Sequence, residues 1–114
     1  MTITSPRQGD VVEVRALIEG CVENPKLHVY VLVRPLAVGG WWVQPASPVD
    51  RDGKWRVLAY FGTEEAGRGE YFEIVAVAST EAKLLREGQR LSANDLESLR
   101  EHHEHSDVVL TVRK

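Results

Sequence analysis

Hydrophobic and polar side chains alternate with a period of two along much of this 114-residue chain. This pattern is typical of β-strands that bury one face in a core. The segments that carry it are Val11–Gly20, Leu27–Arg34, Lys54–Phe61, Glu70–Ser79 and Asp107–Arg113. Two shorter strands are predicted at Thr2–Ser5 and Trp41–Gln44, which gives about seven strands in all.

The phase of the alternation predicts which side chains form the core. A slip of one residue would expose every apolar side chain of a strand, so the register is strongly specified. The predicted core residues are Val12, Val14, Val29, Val31, Trp55, Val57, Phe72, Ile74, Leu110 and Val112. In the last strand the same phase turns Val108 inward and turns Thr111 and Arg113 outward.

Turn-forming residues lie between the strand patterns. Asn24-Pro25, Gly39-Gly40, Asp52-Gly53 and the segment Gly67–Gly69 each fall where the chain must reverse direction. Regular short strands separated by such turns favour an all-β sandwich or barrel. We therefore predict an immunoglobulin-like sandwich of about seven strands, formed as one domain over residues 1–114.

The residues from about 80 to 105 break the alternation and form a predicted helical insertion before the last strand. Thr80 is placed to cap a short helix over Glu81–Glu87, and Gly88 is placed to end it.

A second helix is predicted inside the insertion, over about Ala93–His102. Ser92 followed by Asp95 has the spacing of a capping box, in which each side chain bonds the other residue's backbone amide. Leu96 and Leu99 form the apolar stripe of this helix.

Composition excludes several classes of protein. A hydrophobic content of 43% argues against disorder. The formal net charge is −3 and the arginines are scattered along the chain, so a nucleic-acid partner is not expected. Cys21 is the only cysteine, which excludes an internal disulfide. The start MTITSPRQGD has neither a basic region nor an apolar stretch and no apolar run approaches about 18 residues, so neither a signal peptide nor a membrane-spanning helix is expected. We expect the chain as it stands to be cytoplasmic, with attachment to a membrane-bound protein as the alternative.

Several motifs together resemble bacterial immunoglobulin-like and fibronectin-type accessory domains. The opening ITSPRQGDVVEVRALIEG resembles the first two strands of such modules, and GGWWVQ, DGKW and EYFEIVAV are similar to their middle part. The resemblance implies a sandwich that serves as an appended binding or spacer module and carries no catalytic residues. Two features depart from the pattern, since Cys21 has no partner cysteine on the Glu70–Ser79 strand and the helical insertion is atypical.

Candidate chemical sites are incomplete in the sequence. His102 and His105 are spaced for one side of a helix, but zinc needs three or four ligands and no others are evident. Asp50 to Gly53 resembles the start of a calcium loop, but Phe61 occupies the position that requires a glutamate. No nucleophile–base arrangement is visible. We therefore expect no enzyme activity, no metal and no cofactor.

Aromatic and apolar side chains on the outer strand faces are the candidate contact residues. Trp41 and Trp42 are adjacent, so one faces the core and the other faces outward. The outward sets of three predicted neighbouring strands, Leu27–Arg34, Glu70–Ser79 and Asp107–Arg113, are unusually apolar. Val109 belongs to them, and the candidate contact residues among them are Tyr30, Leu32, Tyr71, Val75 and Val77.

This apolar surface has two possible roles. We predict that the insertion covers it; if the insertion packs elsewhere, the surface should form an interface with a protein partner, a flanking domain or a second copy of the chain. The expected function is a protein-interaction or spacer module of a larger bacterial protein. The alternative is a carbohydrate- or small-ligand-binding sandwich that uses the Trp41/Trp42 strand.

Overall fold

The computed structural model describes all residues from Met1 to Lys114 and contains ten strands and one helix. The strands are β1 (Thr2–Ser5), β2 (Val11–Val12), β3 (Arg15–Cys21), β4 (His28–Pro35), β5 (Trp41–Val43), β6 (Lys54–Tyr60), β7 (Tyr71–Ser79), β8 (Arg90–Leu91), β9 (Glu104–His105) and β10 (Val109–Arg113), and the helix is α1 (Ala93–His102). The two-residue strands β8 and β9 have no counterpart in the sequence prediction.

The strands form two sheets, which confirms the prediction of an all-β, sandwich-like fold. The smaller sheet has the order β1-β3-β6. The larger has the order β2-β10-β7-β4-β5-β8, with β9 paired to β7. The main core lies between them and contains the buried side chains of Ile18, Val31, Trp55, Phe61 and Phe72. None of the helical structure reaches the length and apolarity needed to cross a membrane.

The predicted strand Val11–Gly20 is divided between the two sheets. β2 pairs with β10 in the larger sheet, whereas β3 pairs with β1 and β6 in the smaller sheet. The chain crosses between them at Glu13 and Val14, where the Val14 carbonyl accepts a hydrogen bond from the Phe61 amide. Val14 is therefore only half-buried, although the alternation places it in the core.

The last strand has the opposite phase to the predicted one. Thr111 and Arg113 are buried, whereas Leu110 and Val112 are half-buried and face away from the main core. The Thr111 hydroxyl donates to the Phe72 carbonyl. Arg113 Nη1 lies within 2.7–3.1 Å of the carbonyl oxygens of Phe61, Thr63 and Ala66. Thr111 and Arg113 are therefore buried because each finds carbonyl acceptors on the inward side of the strand.

The insertion packs against the outer face of the larger sheet, as predicted. A second apolar cluster joins that face to the insertion through Leu32, Val75, Val77, Leu91 and Leu96. The helix α1 has the predicted bounds and the predicted capping box. Its one buried side chain, Leu96, is 4% exposed and anchors the helix on the sheet.

The predicted helix over Glu81–Glu87 does not form. Its residues instead make turns around the Tyr30 hydroxyl, which donates to the Glu81 carbonyl and accepts from the Leu84 amide. A tertiary contact from a neighbouring strand therefore overrides the local helix propensity.

Candidate functional site

Five of the seven predicted contact residues are inaccessible to a partner. Tyr30, Leu32, Val75 and Val77 on the larger sheet are at most 2% exposed, and Trp41 is 5% exposed. The insertion of the same chain occupies their face, so these side chains contact the insertion in this structure. Tyr71 and Trp42 remain exposed.

The two adjacent tryptophans face opposite sides of β5, as the alternation predicts. Trp41 faces the insertion, and the guanidinium carbon of Arg34 lies 5.5 Å from its ring centroid. Arg34 also forms an ion pair with Glu73 on β7, the neighbouring strand in the sheet. Trp42 faces the other way and is 39% exposed. Of the three tryptophans only Trp42 can therefore meet a ligand, since Trp55 is also buried.

Trp42 is accessible because the smaller sheet ends before it covers β5. In the larger sheet β5 lies beyond β4, whereas the smaller sheet stops at its edge strand β6. Gln44 spans the gap between these two strands. Its Oε1 accepts from the Tyr60 amide at 2.9 Å, and its Nε2 donates to the Trp42 carbonyl at 3.1 Å. This bridge satisfies an edge amide and fixes β5 relative to β6.

An apolar cleft of about 250 Å³ opens beside Trp42, at the point where the sheets diverge. We call it the Trp42 cleft, and its lining residues are Val33, Pro35, Trp42, Gln44, Tyr60, Gly62, Thr63 and Phe72. A concave, largely apolar site with a few polar groups is the usual form of a small-ligand site, and the volume of this cleft lies just below the usual range of about 300–1,000 Å³.

Hydrogen bonds from Arg113 and within the loop that follows β6 hold one wall of the Trp42 cleft in place. Gly62 and Thr63 belong to the loop whose carbonyls accept hydrogen bonds from Arg113. The Thr63 amide also donates to the Ala66 carbonyl, and the Thr63 hydroxyl accepts from the Ala66 amide. This wall is therefore fixed before any ligand arrives, which lowers the entropy lost on binding.

A cation lies against the Trp42 ring. The guanidinium carbon of Arg90 on β8 is 5.9 Å from the Trp42 ring centroid, within the range of cation–π attraction. Gly40 has a φ of +78° and leaves the space that Arg90 occupies, since a Cβ there would collide with the guanidinium group. Trp42 is consequently an exposed ring that the surrounding structure orients.

A hollow of about 700 Å³ with both apolar and charged residues in its lining lies next to the Trp42 cleft. The two share Tyr60, Gly62 and Thr63, and the hollow adds the charged residues Arg15 and Glu64. Tyr60 is 50% exposed and lines both spaces. Together they form a surface with an aromatic end and a polar end.

The remaining predicted sites stay separate from this surface. His102 and His105 each place Nδ1 against a backbone carbonyl, those of Ser98 and Ser106 respectively. Asp50 Oδ1 accepts from the amides of Asp52 and Lys54, which is the bonding of a turn.

The largest hollow, about 830 Å³, lies near Glu19, Asp50 and Lys54 and is lined mostly by polar residues. The one aromatic residue in its lining, Trp55, is buried in the core. It therefore offers no exposed ring for a ligand to stack on.

Comparison with known proteins adds no relatives, because no family model and no curated protein matches the chain.

Sequence reasoning did not find Tyr60, Gln44 or Thr63. The sequence does indicate Tyr60 as a contact residue, because it is an aromatic residue at an outward position of a strand whose other outward residues include Lys54 and Arg56. Gln44 and Thr63 carried none, because their roles depend on the spacing between two sheets.

Proposed function

We propose that the chain is a non-catalytic binding module, an accessory domain of a larger bacterial protein, and that its ligand is a carbohydrate held in the Trp42 cleft. The observation that carries the proposal is the exposed Trp42 ring beside a cleft with a fixed wall. The apolar face that would have served a protein partner is covered by the insertion, so the protein-interaction alternative has less support.

A sugar suits the chemistry of this surface. The apolar C–H face of a pyranose ring can lie against an indole ring, and the hydroxyl groups around its edge need polar partners. The Trp42 cleft supplies the indole, and the adjoining hollow supplies the Arg15 and Glu64 side chains and the Thr63 hydroxyl, which still has a proton to donate. The lining of the cleft contains no carboxylate and no histidine, which supports binding rather than acid–base chemistry.

Calorimetric titration with oligosaccharides tests this proposal. The probes are the hexaoses of cellulose, xylan, mannan and chitin, each titrated into the wild-type protein. We expect one of them to bind, and we expect Trp42→Ala to weaken that binding by at least about thirty-fold, as for a central aromatic contact.

Tyr71→Ala is the matched control, because Tyr71 is an exposed aromatic residue on the outer face of the larger sheet, outside the Trp42 cleft. It should leave the affinity unchanged. Equal affinity of wild type and Trp42→Ala for the bound sugar would refute the site. Failure of all four sugars to bind would refute the carbohydrate class.

A further inference from the structure

The outer face of the smaller sheet carries a regular pattern of charged and apolar side chains. β3 and β6 are antiparallel, and their outward residues form four cross-strand rows. The rows are Arg15 with Tyr60, Leu17 with Leu58, Glu19 with Arg56, and Cys21 with Lys54. We call this surface the β3–β6 face.

The β3–β6 face is open, and its charges have no ion-pair partners within the chain. Leu17 is 41% and Leu58 is 43% exposed, which is unusual for two leucines directly opposite each other. The ion pairs of the chain are Met1–Glu104, Arg34–Glu73, Arg100–Glu97 and Lys114–Glu13. Glu19 and Arg56 therefore remain available to another molecule.

In three of its four rows the β3–β6 face is complementary to itself, and the fourth row places Lys54 opposite Cys21. A two-fold axis that runs parallel to the strands, midway between β3 and β6, lays β3 of one copy over β6 of the other. Each row then meets the same row of the second copy. Glu19 meets the Arg56 of its partner, Leu17 meets the partner's Leu58, and Arg15 meets the partner's Tyr60 in a cation–π arrangement.

We propose that the β3–β6 face binds a second copy of this chain through that two-fold axis. This axis places each of the four rows against the same row of the second copy, and Glu19 of each copy then faces Arg56 of the other. An interface of this kind is isologous and closes as a dimer. The face shares Tyr60 with the Trp42 cleft and Arg15 with the adjoining hollow, but the proposal rests on the order of the rows and does not depend on the proposed function.

The size of the face indicates a weak, reversible dimer. The four rows are about 7 Å apart along the strands, and the two strands are about 5 Å apart. With the space that the side chains occupy on either side, the face covers about 400 Å² per copy. The total of about 800 Å² is below the range of stable specific interfaces and suits a transient one. Sedimentation velocity over a concentration series up to about 1 mM is therefore the appropriate measurement.

Charge variants test the axis directly. In the row of residues 19 and 56, Glu19→Arg opposes arginine with arginine across the dimer, and Arg56→Glu opposes glutamate with glutamate. Each variant alone should therefore associate at least ten-fold more weakly than wild type. An equimolar mixture of the two should form a heterodimer, because each new arginine then meets a new glutamate. Glu87→Arg and Arg68→Glu are the matched controls, since both residues are exposed and lie outside this face. Neither control should change association.

Several results would overturn the proposal. They are a wild-type protein that stays monomeric up to 1 mM, a single variant that associates as well as wild type, and a mixture that fails to associate. Thermal unfolding of each variant establishes that it is folded. Sugar titration of the same variants keeps this test separate from the Trp42 cleft, because Glu19 and Arg56 do not line it.

Discussion

Replacement of Arg113 by methionine should destabilise the protein and loosen one wall of the Trp42 cleft. Arg113 is 4% exposed and has no carboxylate within ion-pair distance. Its Nη1 has two hydrogens for three carbonyl acceptors, at 2.7, 2.8 and 3.1 Å. Methionine has a similar length and stays in the core, but it leaves these carbonyls without a donor.

The expected magnitude follows from two opposing effects. Two hydrogen bonds from a charged donor contribute about 1.5–3 kcal/mol each, so their loss costs about 3–6 kcal/mol. Methionine also avoids the desolvation of a buried guanidinium group, which offsets several kcal/mol of that loss. We therefore expect Arg113→Met to lower the free energy of unfolding by about 2 kcal/mol. Arg113→Lys should cost less because it keeps one charged donor.

Urea denaturation of the variants measures the free energy of unfolding, with Arg51→Met, at an exposed turn residue, as the control. Hydrogen exchange adds a local measurement. The Thr63 amide should exchange faster in Arg113→Met, since its bond to the Ala66 carbonyl depends on an ordered loop. If Arg113→Met and Arg51→Met differ by less than about 0.5 kcal/mol, the carbonyls do not hold Arg113 and this argument fails.

Two further predictions concern the two apolar clusters. Trp55→Ala should lower the free energy of unfolding by about 3–5 kcal/mol, because the ring is 2% exposed in the main core. A loss below about 1 kcal/mol in chemical denaturation would contradict that packing. Leu96→Ala should lower the free energy of unfolding by about 2–4 kcal/mol and increase binding of a hydrophobic dye, because Leu96 is the buried anchor of α1. Unchanged dye binding would show that the helix does not cover the sheet.

Alternation predicted the core well where one face of a strand meets the core and the other meets water. In β6 the buried residues Trp55, Val57 and Ala59 alternate with exposed ones, so the phase is unambiguous. Near β10 the contrast between the two sides is weaker, because Val108, just before the strand, packs on the insertion side and the outward residues Leu110 and Val112 are half-buried. Val108, Val109 and Leu110 are consecutive apolar residues, and their pattern does not specify a phase. The carbonyl partners of Arg113, about fifty residues away in sequence, distinguish the two faces.

The candidate site was predicted only in part for a similar reason. Adjacent tryptophans in a strand must face opposite sides, so one exposed indole could be expected. Which of the two is exposed depends on how far the smaller sheet extends and where the insertion packs. Gln44, Tyr60 and Gly62 come together through contacts between sheets, which local periodicity does not encode.

The indole N–H resonances of the three tryptophans provide the most direct test of the Trp42 cleft. Two-dimensional ¹H–¹⁵N spectra of the labelled protein are recorded while the hexaose that binds in calorimetry is added. We predict that the Trp42 indole and the Gly62 and Thr63 amides shift with one common affinity, while the indoles of Trp41 and Trp55 stay in place. Shifts confined to the β3–β6 face, or an unmoved Trp42 indole at saturation, would contradict the assignment of the ligand site.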